Sequence, residues 1–434
     1  MLSFEPNIII IDDKKEEVAG ILHRYQTEGV GTKFFNADIV DGDEKPDSPY
    51  SNVNLIFLDL YYQDDFDVEL CTGWIEEVIP ENSFYVLVIW SKDTQHKEAV
   101  LEDLKKINRK PYLCLAKQKT DYNCSATRSY DFDKLYSDIQ SKIDEHPELE
   151  ELALWKKSVQ NSSNIVLGHL SLSEIEGALK TKLQKIIVGH GGSSYISAEE
   201  SSQKREVLFD ALDDVLISNA KGARPTLPIS NVNETNLYSI SATIQSEVDT
   251  KLNSWFHFKL QSSPLEPGMI IPGLICKFSD SSLIENYGML DDARIKSLIN
   301  PQLVLASETD NNPTLVNVAI LLSRPCDIAQ NKFGKNLKLI SGVLVQQPKR
   351  KGSSGNPIKT GKKVDSIKIY DHLYLSEENK DNAIIIDFRY SFSVPKKTFK
   401  DNFFPITAFN KDLLSEIQVE YGAYSSRLGI TQII

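Results

Sequence analysis

Residues 54–61 read NLIFLDLY, a run of apolar side chains that is closed by a single carboxylate, Asp59. Apolar runs of this length are typical of strands that are buried on both faces of a parallel sheet. In open α/β sheets, ligands bind beyond the carboxyl ends of the strands. We therefore expect Asp59 to lie at a sheet edge that a ligand can reach.

Strands and helices alternate on both sides of this run. Further strands are predicted at 7–11, 32–35, 84–90 and 111–116. Helices with one apolar face are predicted at 14–27, 72–78, 95–107 and 131–143. Such alternation is typical of parallel sheets covered by helices on both faces. The sequence predicts a doubly wound, five-stranded parallel α/β domain of flavodoxin-like form over residues 1–145.

Polar side chains follow four of these strands. Asp12 and Asp13 follow the first strand, Asp59 the third, Ser91 the fourth and Lys117 the fifth. Because the ends of parallel strands meet at one edge, we expect these residues to converge. Mg²⁺ relieves the repulsion among clustered carboxylates. A neutralised aspartate can accept a phosphoryl group, whose oxygens a hydroxyl and an ammonium group can hold.

This constellation resembles the receiver domain of two-component response regulators. The resemblance implies that Asp59 accepts a phosphoryl group from a histidine kinase, with Ser91 and Lys117 as helpers. It implies that Mg²⁺ is held by three carboxylates and one backbone carbonyl, those of Asp12, Asp13, Asp59 and Tyr61. Such a protein is a phosphoacceptor rather than a turnover enzyme.

Two departures from the family pattern leave alternatives open. Gln118 follows Lys117 where the family has proline, so Lys119 is a rival for the lysine role. The loop after Asp59 is longer than usual and acidic. Acids that follow a strand also cap helices and stabilise the first helical turn. A degenerate receiver that only docks partners is therefore an alternative interpretation.

The rest of the chain differs in character. Residues 146–230 predict a helical linker or bundle, and 231–434 predict a β-rich small barrel or sandwich that ends in a helix at 413–430. Strands are predicted there at 255–260, 269–278, 315–322, 337–345, 367–375, 383–388 and 390–394. Residues 348–363 form a basic insert, rich in glycine and serine.

The most distinctive local motif of the β-rich part is SRPCDIAQNK at 323–332. With the receiver pattern, its CDIAQ core makes the whole chain resemble the receiver proteins of bacterial anti-phage phosphorelays of the Detocs type. Among these it resembles the member without a recognisable effector, for which a phosphate-buffer role is implied. An effector enzyme acting through Cys326 and Asp327 is the alternative, and it would need His257 or His372 nearby.

Composition narrows the classes of partner. The chain has 48 basic and 61 acidic residues, a net charge of −13. This balance disfavours nucleic acid, and the C-terminal helix is too poor in basic residues for a DNA-reading helix. Five scattered cysteines, no signal peptide and no apolar stretch of 18 residues predict a cytoplasmic protein without a membrane span. The expected partners are the kinase and an effector or second receiver.

Overall fold

The structure is a computed structural model. It describes residues 5–124, 129–172, 178–191, 201–222, 229–241, 244, 248–260, 264–293, 295–296, 314–323, 334–348 and 366–426. The chain forms two compact units. The first contains residues 1–153 and 229–237, and the second contains residues 154–228 and 238–434.

A five-stranded parallel sheet is the centre of the first unit. The strands of this part of the chain are β1 (Ile8–Asp12), β2 (Thr32–Asn36), β3 (Leu55–Leu58), β4 (Tyr61–Tyr62), β5 (Asp65–Phe66), β6 (Val86–Ser91) and β7 (Leu113–Gln118). The sheet order is β2-β1-β3-β6-β7, while β4 and β5 form a separate two-stranded hairpin. This order is consistent with a flavodoxin-like receiver fold.

Helices cover both faces of this sheet. They are α1 (Lys15–Thr27), α2 (Val68–Val78), α3 (Lys97–Lys106) and α4 (Phe132–Asp144). The four isoleucines of β1 alternate between the faces: Ile8 and Ile10 pack with α1 and α4, whereas Ile9 and Ile11 pack with α2 and α3. The predicted doubly wound parallel domain is therefore confirmed. After β7 the chain makes a 3₁₀ turn (Lys119–Tyr122) and a short strand pair, β8 (Asn123–Cys124) and β9 (Ser129–Tyr130).

The middle of the chain is helical, as predicted. Its helices are α5 (Pro147–Ser171), α6 (Ala178–Gly191), α7 (Ser201–Gly222) and α8 (Asn231–Asn236). Every helix described anywhere in the chain is too short or too polar to cross a membrane.

The C-terminal part is a six-stranded antiparallel sheet with helices. Its elements are α9 (Thr250–His257), β10 (Leu274–Phe278), α10 (Ser281–Tyr287), β11 (Thr314–Leu321), β12 (Asn336–Gln346), β13 (Ile367–Leu373), β14 (Asn382–Pro395), α11 (Lys396–Asn402), β15 (Phe403–Ala408) and α12 (Lys411–Ser425). The strand order is β13-β14-β12-β11-β10-β15. The predicted β-rich layout with a closing helix is confirmed. The described strands form one sheet where the pattern suggested a small barrel or sandwich.

Each face of this sheet carries its own helices. Leu414 and Ile417 of α12 are buried on one face, and Leu283 of α10 and Phe399 of α11 are buried on the other. The prediction of a strand at Trp255–Leu260 is wrong, because residues up to His257 belong to α9. Asp249 caps that helix by accepting a hydrogen bond from the Leu252 amide. Cys326, Asp327 and the basic insert except Pro348 lie outside the described residues.

Candidate functional site

Asp59 occupies the centre of the polar edge of the parallel sheet. It follows the last residue of β3 directly, and its side chain is only 6% exposed. Its Oδ1 atom accepts a hydrogen bond from Ser91 Oγ at 2.5 Å, and from the amides of Leu60 at 2.6 Å and Tyr61 at 3.2 Å. Ser91 is the last residue of β6, so the parallel register places its hydroxyl beside Asp59. The predicted contact of these two strand ends is present.

Lys119 is the lysine of the site. Its Nζ atom lies 2.7 Å from Asp59 Oδ2, 2.9 Å from Asp12 Oδ2 and 2.6 Å from Glu17 Oε2. The structure therefore gives Lys119 the position that the sequence assigned to Lys117. The reason is the length of β7, which continues to Gln118 and pairs Lys117 with Trp90 inside the sheet. Lys119 is the first residue beyond the strand, so it takes the strand-end position.

Burial and charge oppose each other at this site. Burial raises the pKa of Asp12 to about 7, against the opposing charge of Lys119. For Lys119, burial alone would lower the pKa, but the charges of Asp12 and Asp59 outweigh it and raise the pKa above its ordinary value. The Lys119 ammonium group therefore stays charged.

Glu17 is a site residue that the sequence did not single out. It lies in the first turn of α1, and its carboxylate accepts a hydrogen bond from Lys119. Acids in a first helical turn ordinarily serve the helix itself, because they interact favourably with its N-terminal dipole. The sequence therefore carried no signal that distinguished Glu17 from its neighbour Glu16. Both acids satisfy the same local rule, and only the tertiary fold separates them.

Asp13 faces the β4–β5 hairpin. Its Oδ2 atom accepts a hydrogen bond from the Gln63 amide at 2.9 Å. Its Oδ1 atom is buried and has no hydrogen-bond partner within the described residues. Tyr61 is the first residue of the hairpin, and its amide donates a hydrogen bond to Asp59 Oδ1. The role of the Tyr61 carbonyl as a metal ligand stays a prediction.

The carboxylates of this edge could hold a metal ion. Oxygen atoms of Asp12, Glu17 and Asp59 lie within 4.8 Å of one another. Oxygen donors in this number suit a hard divalent cation such as Mg²⁺. Asp13, the other predicted carboxylate ligand, is not part of this group of three, so its role as a ligand stays a prediction. The donor set therefore fits the metal that the sequence pattern implied.

Ser91→Ala is expected to lower the free energy of unfolding of the first unit by about 1.5–3 kcal/mol, since it removes a hydrogen bond to a buried carboxylate. Hydrogen exchange of the β3 and β6 amides measures this locally. Ser83→Ala is a matched control, because Ser83 Oγ bonds only the neutral Pro80 carbonyl and should cost about 0.5–1.5 kcal/mol. Equal losses in both variants would contradict a charged acceptor at Asp59.

A second group of candidate ligands lies in the β-rich sheet. Ligand atoms of Asp371, His372 and Asp381 lie within 4.8 Å of one another, and His372 Nδ1 is 3.6 Å from Asp381 Oδ1. His372 has a φ of 56° at the irregular end of β13. His257 Nδ1 instead contacts the Asn253 carbonyl of its own helix at 2.6 Å. Cys326 lies outside the described residues, so a pairing with either histidine stays a prediction.

Comparisons with known proteins add little to this geometry. Neither a scan against protein-family models nor a search of curated proteins found a match. Among solved structures, the crystal structure of adenylate cyclase from Rhodopirellula baltica matches 32% of this chain and 99% of its own chain. The sequence identity is 17% and the TM-score is 0.18. At this TM-score the match carries no conclusion for the present chain.

Proposed function

We propose that the first unit is a receiver-like phosphoacceptor in which Asp59 takes a phosphoryl group from a histidine kinase. The observation that carries the proposal is the convergence of Ser91 and Lys119 on the two oxygens of Asp59. A hydroxyl and an ammonium group on opposite oxygens are what a carboxylate needs to hold a transferred phosphoryl group in place. The sheet order β2-β1-β3-β6-β7 supports the same assignment.

The transfer requires a carboxylate oxygen that can attack phosphorus and a leaving group that can depart from it. Oδ1 of Asp59 is held by three donors, which leaves Oδ2, beside Lys119, as the attacking atom. Oδ2 forms a bond to phosphorus while the bond from phosphorus to the donor's imidazole nitrogen breaks. The electron pair of that bond goes to the imidazole, which then takes a proton. Lys119 and Ser91 are positioned to hold the phosphoryl oxygens of the acyl phosphate that results.

Mg²⁺ is part of this proposal. Asp12, Glu17 and Asp59 would hold it, because their carboxylate oxygens lie within 4.8 Å of one another, and the receiver resemblance adds Asp13 as a fourth ligand. When bound there, the ion neutralises negative charge on the acceptor and on the phosphoryl oxygens. Lys119 alone balances only one of four carboxylates.

The test is formation of a labile adduct. Purified protein with Mg²⁺ and a small phosphoryl donor is expected to gain roughly 80 Da, the mass of one phosphoryl group, in a bond that hydroxylamine cleaves. A chelator is expected to slow formation about 100-fold, since a divalent cation supplies several kcal/mol of charge stabilisation. Intact-mass spectrometry follows both. The proposal is wrong if neither a small phosphoryl donor nor a kinase produces the adduct.

A docking module without phosphotransfer is the second candidate. The observation that favours it is the close contact of Lys119 with three carboxylates, which neutralises part of the cluster without a metal. A docking module would gain no adduct, and Mg²⁺ would leave its melting temperature unchanged. A phosphoacceptor should bind the ion and gain stability from it.

The biological setting that we propose rests on the resemblance of the whole chain alone. We propose a cytoplasmic anti-phage phosphorelay of the Detocs type, in which the protein stores phosphoryl groups or passes them to an effector or second receiver. Free thiols at Cys71, Cys114, Cys124 and Cys276 suit a reducing compartment. The CDIAQ motif that supports this setting lies outside the described residues.

A further inference from the structure

The β4–β5 hairpin begins two residues after Asp59 and ends just before the cap of α2. Its turn residues, Gln63 and Asp64, have φ values of 53° and 71°. Two-residue hairpin turns with both central residues in this left-handed region ordinarily use Asn-Gly, because glycine adopts it without strain. A Gln-Asp turn therefore needs contacts that hold it in place.

Those contacts come from the loops that carry the site residues. The carboxylate of Asp64 lies 2.7 Å from Lys92 Nζ and 3.8 Å from Lys14 Nζ. Lys92 also donates to the Asp64 carbonyl at 3.2 Å and lies over the Tyr61 ring. Lys92 follows Ser91 directly. The hairpin is thus tied to the phosphoacceptor site by an exposed ion pair, a class of contact that exchanges readily.

The same residues line a small polar cavity. Its volume is about 100 Å³, and its lining includes Asp59 and Lys119 together with Asp64, Lys92 and Lys14. Each water occupies about 30 Å³ in the liquid, so the cavity has room for a group the size of a phosphoryl. Two cations beyond Lys119 therefore border the space into which a phosphoryl group on Asp59 would project.

We propose that Lys92 is a second cation that binds the phosphoryl group. It pairs with Asp64 in the unphosphorylated protein and couples the hairpin to the phosphorylation of Asp59. This inference rests on the proposed phosphoacceptor function. A phosphoryl group carries a charge of about −1.5 to −2, more than the single charge of Asp64. Lys92 exchanges Asp64 for the phosphoryl oxygens when the group forms. The hairpin then loses its ion pair with Lys92, the residue that follows β6, and moves.

The rate of adduct formation tests the role of Lys92. Lys92→Gln is expected to slow formation about tenfold, the effect of one lost charge-assisted hydrogen bond. Asp64→Asn is expected to speed it about threefold, because it frees Lys92 from an exposed pair. The double variant should match Lys92→Gln alone. Lys142→Gln is the matched control, since Lys142 of α4 pairs with Glu145, the residue that follows the helix, and neither lines the cavity.

Hydrogen exchange of the 61–66 amides tests the hairpin itself. Phosphorylation is expected to speed exchange there in the wild type and in Lys142→Gln, and to leave it unchanged in Lys92→Gln. If Lys92→Gln behaves like Lys142→Gln in both measurements while the wild type takes a phosphoryl group, this inference is overturned and the proposed function stands. If the wild type takes none, both are overturned.

Discussion

Lys119→Met is expected to lower the free energy of unfolding of the first unit by about 3–5 kcal/mol, the usual cost of removing one partner of a buried ion pair. Lys119 is 4% exposed, and its single positive charge lies within hydrogen-bonding distance of Asp12, Asp59 and Glu17. Methionine fills much of the same volume but leaves these carboxylates uncompensated. Hydrogen exchange of the β1 and β3 amides measures the loss in this unit alone. Adduct formation should fall as well, because the variant lacks a cation beside Asp59 Oδ2.

Lys117→Met is the matched control, because Lys117 lies within β7, opposite Trp90 of β6, rather than beyond the strand end. It should cost less than about 1 kcal/mol, because Lys117 is half-buried and its loss leaves the carboxylates around Lys119 compensated. The pH dependence gives a second check. Burial raises the pKa of Asp12 from 3.8 to about 7. The contribution of Asp12 to the free energy of unfolding is therefore complete below about pH 4, and it is lost as the pH rises through about 7. Without Lys119 that loss becomes larger. The difference in the free energy of unfolding between the wild type and Lys119→Met should therefore be smaller at pH 5 than at pH 8. A difference in the free energy of unfolding that does not change with pH would contradict this explanation.

The convergence of Asp12, Asp59 and Ser91 could be predicted from sequence because it follows from one geometric rule. Parallel strands place their carboxyl ends at the same edge, so three polar residues after three buried runs had to meet. The identity of the lysine did not follow from that rule. Residues 111–119 read PYLCLAKQK, and the apolar pattern stops before the hydrogen-bonded strand does. Two further ladder residues transfer the strand-end position from Lys117 to Lys119.

The β-rich part shows a different limit of sequence reasoning. The strand Phe403–Ala408 contains Pro405, and proline within an apolar run argues against a central strand. β15 is an edge strand that pairs only with β10 among the described strands, where a missing amide hydrogen is tolerated. The aromatic run WFHF at 255–258 resembled a strand in composition, yet the cap at Asp249 starts a helix through His257. Tertiary position decided the first case, and a local helix cap decided the second.

The hairpin explains why the acidic loop after Asp59 could not be interpreted from sequence. Asp64 contacts Lys14 and Lys92, which lie 50 residues before it and 28 after it. Asp67 instead caps α2 by accepting hydrogen bonds from the Glu69 and Leu70 amides. One acidic run thus serves two separate tasks, an ion pair over the site and a helix start. Neither partner of Asp64 is local, so no periodicity reveals the pairing.

Asp59→Asn is expected to abolish the labile adduct, because a carboxamide lacks the anionic oxygen that attacks phosphorus. The variant should remain folded. Its side-chain oxygen can still accept from Ser91 Oγ and the Leu60 amide, and one fewer carboxylate is buried beside Asp12. Intact mass after treatment with donor and Mg²⁺ gives the stoichiometry, and peptide mapping assigns the phosphoryl group to the segment that contains residue 59.

Asp64→Asn is the matched control for this substitution, since it removes one carboxylate five residues away and on the exposed hairpin. It should retain the adduct at full stoichiometry. Because Asp12, Asp13 and Glu17 border the same site, a rival acceptor is chemically available. A full adduct in Asp59→Asn would therefore move the acceptor to one of these three carboxylates and overturn the role of Asp59. Loss in Asp59→Asn alone assigns the chemistry to the one carboxylate that Ser91 and Lys119 hold between them.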